Sequence, residues 1–192
     1  MASIKAKELE VLVAAGRRMY EGGLAAGTTG AMGARLSGEV VAVTAAGTRL
    51  GFLVRADIML VNGSGPIVEN GRAPGKETVI IRAVLAAQPE AGSVIKVNSP
   101  FATALAHKGR KTIERSRGLL EDLDGVAFVP FYRPGTAGLA GAVAEVLRSN
   151  HIAIIEGQGA VVWGTDVADA IDHAENLEAA ARVIFILEGK EV

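Results

Sequence analysis

Lys96 and Asn98 stand two residues apart within the stretch SVIKVNSPFATALA, residues 93–106, which reads as a buried strand running into a helix. Side chains alternate along a strand, so an ammonium and a carboxamide share one face while Ile95 and Val97 take the other. An ammonium in a partly dry cavity stabilises a developing oxyanion, because charge interactions strengthen as water is excluded. A desolvated lysine with a lowered pKa can instead attack a carbonyl and form a Schiff base. Both uses favour carbon-acid chemistry beside a carbonyl: aldol cleavage, decarboxylation, enolisation or dehydration. The three histidines, His107, His151 and His173, are not paired at a ligand spacing, so a histidine metal site is not expected.

The elements that would position these groups alternate along the chain without repeats or linkers. Leu9, Leu12, Val13, Gly16, Met19 and Tyr20 follow the three-four spacing of a helix, which Gly22-Gly23 stops. Residues 27–47 read as two strands joined by a Ser37-Gly38 turn, and residues 55–71 as a strand, a Gly-rich turn and a short returning strand. A helical pattern runs from Lys76 to Gln88 and stops at Pro89. After the strand and helix of residues 93–106, VAFVPFY is a strand, TAGLAGAVAEVLRSN a helix and IAIIEGQGAVVWG two strands around a turn. Thr165 to Glu188 forms a long helix with Asp166 near its positively polarised start. Hairpins mixed with helices imply α/β layers around a largely antiparallel sheet.

With 192 residues, 49% of them hydrophobic, the chain is long enough for a single domain with a substantial core. A net charge of -1 leaves no footprint for nucleic acid or an anionic membrane surface. No cysteine is present, which removes disulfide and thiolate chemistry. The charged N-terminal stretch MASIKAKELEVLV reads as neither a signal peptide nor a membrane span, so a cytoplasmic location is the expectation.

The blocks GTTGAMGAR, TAAGTRLG, APGKE, VIKVNSPFATALA, VPFYRPGTAGLA and EGQGAVVWG, in this order and spacing, resemble the class II aldolase/adducin family. The resemblance covers the chain as one domain, 1–192, and implies a three-layer α/β/α fold with a mixed, mostly antiparallel central sheet. It also implies a divalent metal held by three histidines. Lys96, Asn98 and Gln158 stand at those positions here. A protonated lysine cannot ligate and amides are poor zinc ligands, so no metal and no other cofactor is expected. The family's phosphate-holding blocks match Gly27-Thr28-Thr29-Gly30-Ala31, Thr44-Ala45-Ala46-Gly47 and Pro74-Gly75-Lys76-Glu77, with the Asn and three Ser hydroxyls replaced. Thr28, Thr29, Gly30, Ala46, Gly47, Gly75 and Lys76 remain candidates for holding a substrate anion through N–H groups and one cation. Glycines in turns serve equally well simply to bend the chain.

Glu77 matches the position of the family's catalytic acid/base, and Lys96 supplies the positive charge nearest to a replacement for the metal. Together they imply a metal-independent enzyme acting on a small hydroxy- or oxo-compound, with Glu77 moving the proton and Asn98, Gln158 and Tyr132 lining the cleft. Tyr132, in FYRPGT, resembles a cleft block of the family but serves equally in ordinary packing. The alternative is a catalytically silent member, a scaffold or small-anion-binding module in which Lys96 and Glu77 pair with each other. The resemblance further implies a homotetramer with the cleft at a subunit boundary. The adjacent Arg133 is read as a surface residue and His107 as a helix-end cation, while the basic run HKGRKTIERSR is read as a solvated face.

Overall fold

Short runs rich in the β-branched residues Val and Ile favour pleated, half-buried surfaces, and together with Ala31–Arg35 they pair into one seven-stranded sheet. A computed structural model describes residues 2–36, 40–62, 72–109, 123 and 125–189. The strands are β1 (Ala31–Arg35), β2 (Val40–Thr44), β3 (Ile58–Asn62), β4 (Ser93–Val97), β5 (Val126–Val129), β6 (Ile152–Ile155) and β7 (Gly159–Gly164), in the order β3-β2-β1-β4-β7-β6-β5. All pairs are antiparallel except β5–β6, whose parallel register runs from Val126 opposite Ile152 to Val129 opposite Ile155. A mixed, mostly antiparallel sheet is therefore what forms. β4, with Lys96, is its middle strand.

The α-helices among the described residues are α1 (Ala2–Glu21), α2 (Thr78–Ala87), α3 (Pro100–Lys108), α4 (Ala137–Val146) and α5 (Val167–Glu188). Alternation along β4 sends Ile95 and Val97 into one apolar cluster with Leu12, Met19, Leu105 and Leu177 of α1, α3 and α5. Val94 goes to the opposite cluster with Ile81, Val84, Leu139 and Val143 of α2 and α4. The result is three layers, with two helices on one face and three on the other. Lys96 shares the parity of Val94 and so faces the layer that contains α2.

Local chemistry sets the element ends. The apolar stripe Ile80, Ile81, Val84 and Leu85 seats α2 on the sheet, and Gly33 of β1 lets it come close, since a Cβ there would lie 2.5 Å from Ile81 Cγ2. Asp166 caps α5 by accepting from Asp169 N–H at 2.9 Å. At α3, Ser99 occupies the cap position and Pro100 the first turn, but the Ser99 hydroxyl makes no capping bond. Glu178 of α5 caps it instead, accepting from Phe101 N–H at 3.0 Å and Ala102 N–H at 2.8 Å.

The expected helix over Lys76–Gln88 narrows to Thr78–Ala87, and the expected strand VAFVPFY ends at Val129, before Pro130. The Ser37-Gly38 turn, the Gly-rich turn with its returning strand after Asn62, and most of the basic run after Gly109 lie outside the described residues. No helix among the described residues is long and apolar enough to cross a membrane.

Candidate functional site

Lys96 sits on β4 between Ala31 of β1 and Val161 of β7, neighbours small enough to leave its long side chain room on the α2 face. The residue is 5% exposed. Its ammonium donates to Val97 O at 3.1 Å, to Asn98 Oδ1 at 3.1 Å and to the main-chain carbonyl of Gln158 in the β6–β7 turn. Asn98 Nδ2 donates to that same Gln158 carbonyl at 3.0 Å. The carboxamide orientation is fixed by chemistry, because an ammonium only donates and a carbonyl only accepts. Burial lowers the Lys96 pKa to about 8; the negative charge of Glu77 opposes that shift and the positive charge of Lys76 adds to it.

Gln158 contributes differently from expectation. Its backbone oxygen, not its side chain, meets Lys96, while its side-chain Nε2 donates to Tyr132 O at 2.6 Å and ties the turn to the loop after β5. Gly159 permits the convergence. It has φ +83, and a Cβ there would lie 2.4 Å from Val97 O and 3.3 Å from both Lys96 Nζ and Thr103 Oγ1. Neither Gly159 nor Thr103 was singled out from the sequence. EGQG flags a turn residue at 159, whereas nothing local marks Thr103, whose hydroxyl oxygen is buried without a hydrogen-bond partner among the described residues.

Glu77 begins the turn into α2, with its carbonyl accepting from Ile80 and Ile81 N–H groups at 3.0 Å each. Its side chain is 23% exposed and lies 3.9 Å from Lys76 Nζ. No direct ion pair joins Lys96 to Glu77, so the paired arrangement of a silent protein is not what forms; Glu77 acts on Lys96 through space. Ala45 and Pro74 form an isolated bridge, and Ala46 N–H donates to Ala73 O at 2.9 Å, which holds the 45–47 and 73–77 turns together. A Cβ on Gly75 would lie 3.4 Å from Glu77 Oε2 and 3.8 Å from Ala46 Cα, so Ala46, Gly75, Lys76 and Glu77 form one patch. Lys76 in turn packs under Gly135 of the Tyr132 loop.

The remaining candidates are less connected to that patch. Thr29 closes its own turn through Ala26, accepting from its N–H at 3.0 Å and donating to its carbonyl at 2.7 Å. Thr28 and Gly47 are exposed. Gly30 backs onto Lys96 through main chain, a Cβ there being 3.3 Å from Lys96 O. Tyr132 is 37% exposed and offers its carbonyl, not its ring, to Gln158. His107 lies in the last turn of α3, beside Gly157 of the site turn. His151 and His173, distant in sequence, come together: their ring centroids are 4.7 Å apart, and His151 stacks on Trp163 at 4.2 Å.

A divalent ion, as the sequence resemblance implies, needs convergent lone pairs. The three positions at issue present a buried ammonium, an amide oxygen already accepting from it, and a glutamine side chain turned to another loop. That donor set does not fit a metal. Among the described residues no group of three or more His, Cys, Asp or Glu could hold one.

Comparison with known proteins extends the match to most of the chain. The model of the Class II Aldolase and Adducin N-terminal domain matches residues 10–185. A 3-oxo-tetronate 4-phosphate decarboxylase of Haemophilus influenzae is 29% identical over 188 residues, covering 95% of this chain and 89% of the relative. A methylthioribulose-1-phosphate dehydratase of Methylococcus capsulatus is 34% identical over 180 residues, covering 87% of each. Among solved structures, YgbL of Klebsiella pneumoniae superposes with a TM-score of 0.87 at 28% identity, covering 95% of this chain and 90% of that one.

Proposed function

We propose that this chain, which belongs to the class II aldolase and adducin family, is a lyase-type enzyme that works without the metal its resemblance implies. Its substrates on this reading are small oxo- or hydroxy-compounds, and its chemistry is decarboxylation, dehydration or aldol cleavage beside a carbonyl. The observation that carries the reading is the buried Lys96 ammonium, fixed by three acceptors and sensing the Glu77 carboxylate across the site. When a carbon–carbon or carbon–hydrogen bond next to a carbonyl breaks, its electron pair passes into the carbonyl as an enolate. A fixed positive charge favours that anion, and Glu77 takes up or returns the proton at carbon. The decarboxylase and dehydratase relatives act on phosphorylated compounds by name. The Ala46–Gly75–Lys76 patch, with one exposed cation, is the place for an anionic group.

A silent, scaffold-like role draws support from one feature, the full satisfaction of Lys96 by protein acceptors. The partly exposed Glu77, without a direct pair to Lys96, favours the enzyme. Exposed Phe52, Phe131, Ile186 and Leu187 support assembly into a homo-oligomer, which sequence resemblance makes a tetramer.

The test is chelator-treated protein incubated in D2O with 3-oxo-tetronate 4-phosphate, methylthioribulose 1-phosphate and unphosphorylated hydroxyketones, followed by NMR. Bond cleavage or deuterium incorporation is expected, falling roughly 10²- to 10⁴-fold in Glu77→Gln. Inertness toward the whole panel would favour the scaffold, and activity only after added divalent metal would end the metal-free reading.

A further inference from the structure

An ammonium has three N–H donors, and here all three are committed: to Val97 O, Asn98 Oδ1 and the Gln158 carbonyl. Lys96 therefore has no donor left for a substrate oxygen, and the residue is buried. Asn98 is placed differently. It is half-buried, its Oδ1 accepts from the ammonium, and one Nδ2 hydrogen goes to Gln158 O. Its second Nδ2 hydrogen has no partner among the described residues. A carboxamide whose oxygen accepts from a cation is polarised, which strengthens the donor power of its N–H groups. The Gln158 carbonyl fixes the direction in which that amide points, so it is already oriented before any ligand arrives.

We infer that Asn98 is the oxyanion donor of this site, and that Lys96 is a positioning residue that holds and polarises the Asn98 amide and neither contacts nor attacks the substrate. The inference rests on the reading of the site as one that stabilises an enolate, and it narrows that reading: of the two uses open to a lysine, the Schiff base is excluded and the charge acts through one intervening amide. The partner it requires is a planar oxyanion, an enolate or a carboxylate, placed over the Asn98 Nδ2.

The probe is oxalate, a planar dianion, titrated into ¹⁵N-labelled full-length protein while side-chain amide and lysine Nζ signals are followed by NMR. Asn98→Asp identifies the Asn98 pair. Oxalate should move one Asn98 Nδ2 proton downfield and leave the Lys96 Nζ contacts in place. Lys96→Met should weaken oxalate binding about tenfold or more and abolish that shift, and ethylammonium added to Lys96→Ala should restore part of it, which a purely structural role would not allow. In active protein, loss of the Asn98 donor by Asn98→Ala should lower kcat roughly 10²- to 10³-fold with a smaller change in KM. Borohydride reduction with small ketones should leave residue 96 unmodified. A secondary amine at Lys96, or oxalate shifting the Lys96 signal while Asn98 stays still, overturns this inference and leaves the enzyme reading standing. Failure of oxalate to bind the wild-type site at all also overturns this inference, while the enzyme reading stands or falls on turnover of the substrate panel.

Discussion

Replacing Lys96 by Met removes a buried titrating group and tests how far burial disfavours its charge. The folded pKa of about 8 lies below the ordinary lysine value of 10.5. Below pH 8 the lysine is protonated in both the folded and the unfolded chain, and the full penalty of burying its charge weighs on the fold. Between 8 and 10.5 the unfolded chain binds one more proton than the folded one, so stability rises with pH. Above 10.5 both forms are neutral and the penalty is gone. At about 1.4 kcal/mol per pH unit, that interval amounts to about 3 kcal/mol. The assay is urea unfolding of wild type and Lys96→Met from pH 7 to pH 11, taking the difference at each pH so that other lysines and the tyrosines cancel. Wild type should gain on the variant by about that amount, with most of the change between pH 8 and 10.5. A flat difference would refute the reasoning, since it would mean that the three acceptors offset the lost hydration completely.

Three further outcomes follow from other contacts. Glu178→Ala frees the Phe101 and Ala102 N–H groups at the start of α3 and should lower stability by about 1–2 kcal/mol in urea unfolding; an unchanged midpoint would mean that water caps the helix equally well. Gly159→Ala meets both a positive φ and a Cβ 2.4 Å from Val97 O, so a loss of at least about 2 kcal/mol is expected by the same assay, and a variant as stable as wild type would show that the turn can relax. Lys96→His, Asn98→His and Gln158→His combined should create a metal site taking up about one zinc per chain by elemental analysis; absence of zinc would show that a side chain at position 158 stays turned toward the Tyr132 loop, as that of Gln158 is, and not toward the residue-96 side.

Sequence alone determined what local periodicity and caps encode. Alternation in SVIKVN placed Lys96 and Asn98 on one face, the three-four spacing of Ile80, Ile81, Val84 and Leu85 made α2, and Asp166 marked the start of α5. These depend on neighbours a few residues apart, and so they are written in side-chain type. Tertiary structure alone decided how the site closes. The third acceptor of Lys96 is a backbone carbonyl that every residue type carries, and it arrives from 62 residues away through the β4–β7 pairing. Glu178 caps α3 from a distant helix, and His151 meets His173 directly while stacking on Trp163 of β7. Nor could the chain's order of residues tell whether Lys96 would reach Glu77, because that depends on how close α2 settles on the sheet and on which acceptors lie nearer to the ammonium.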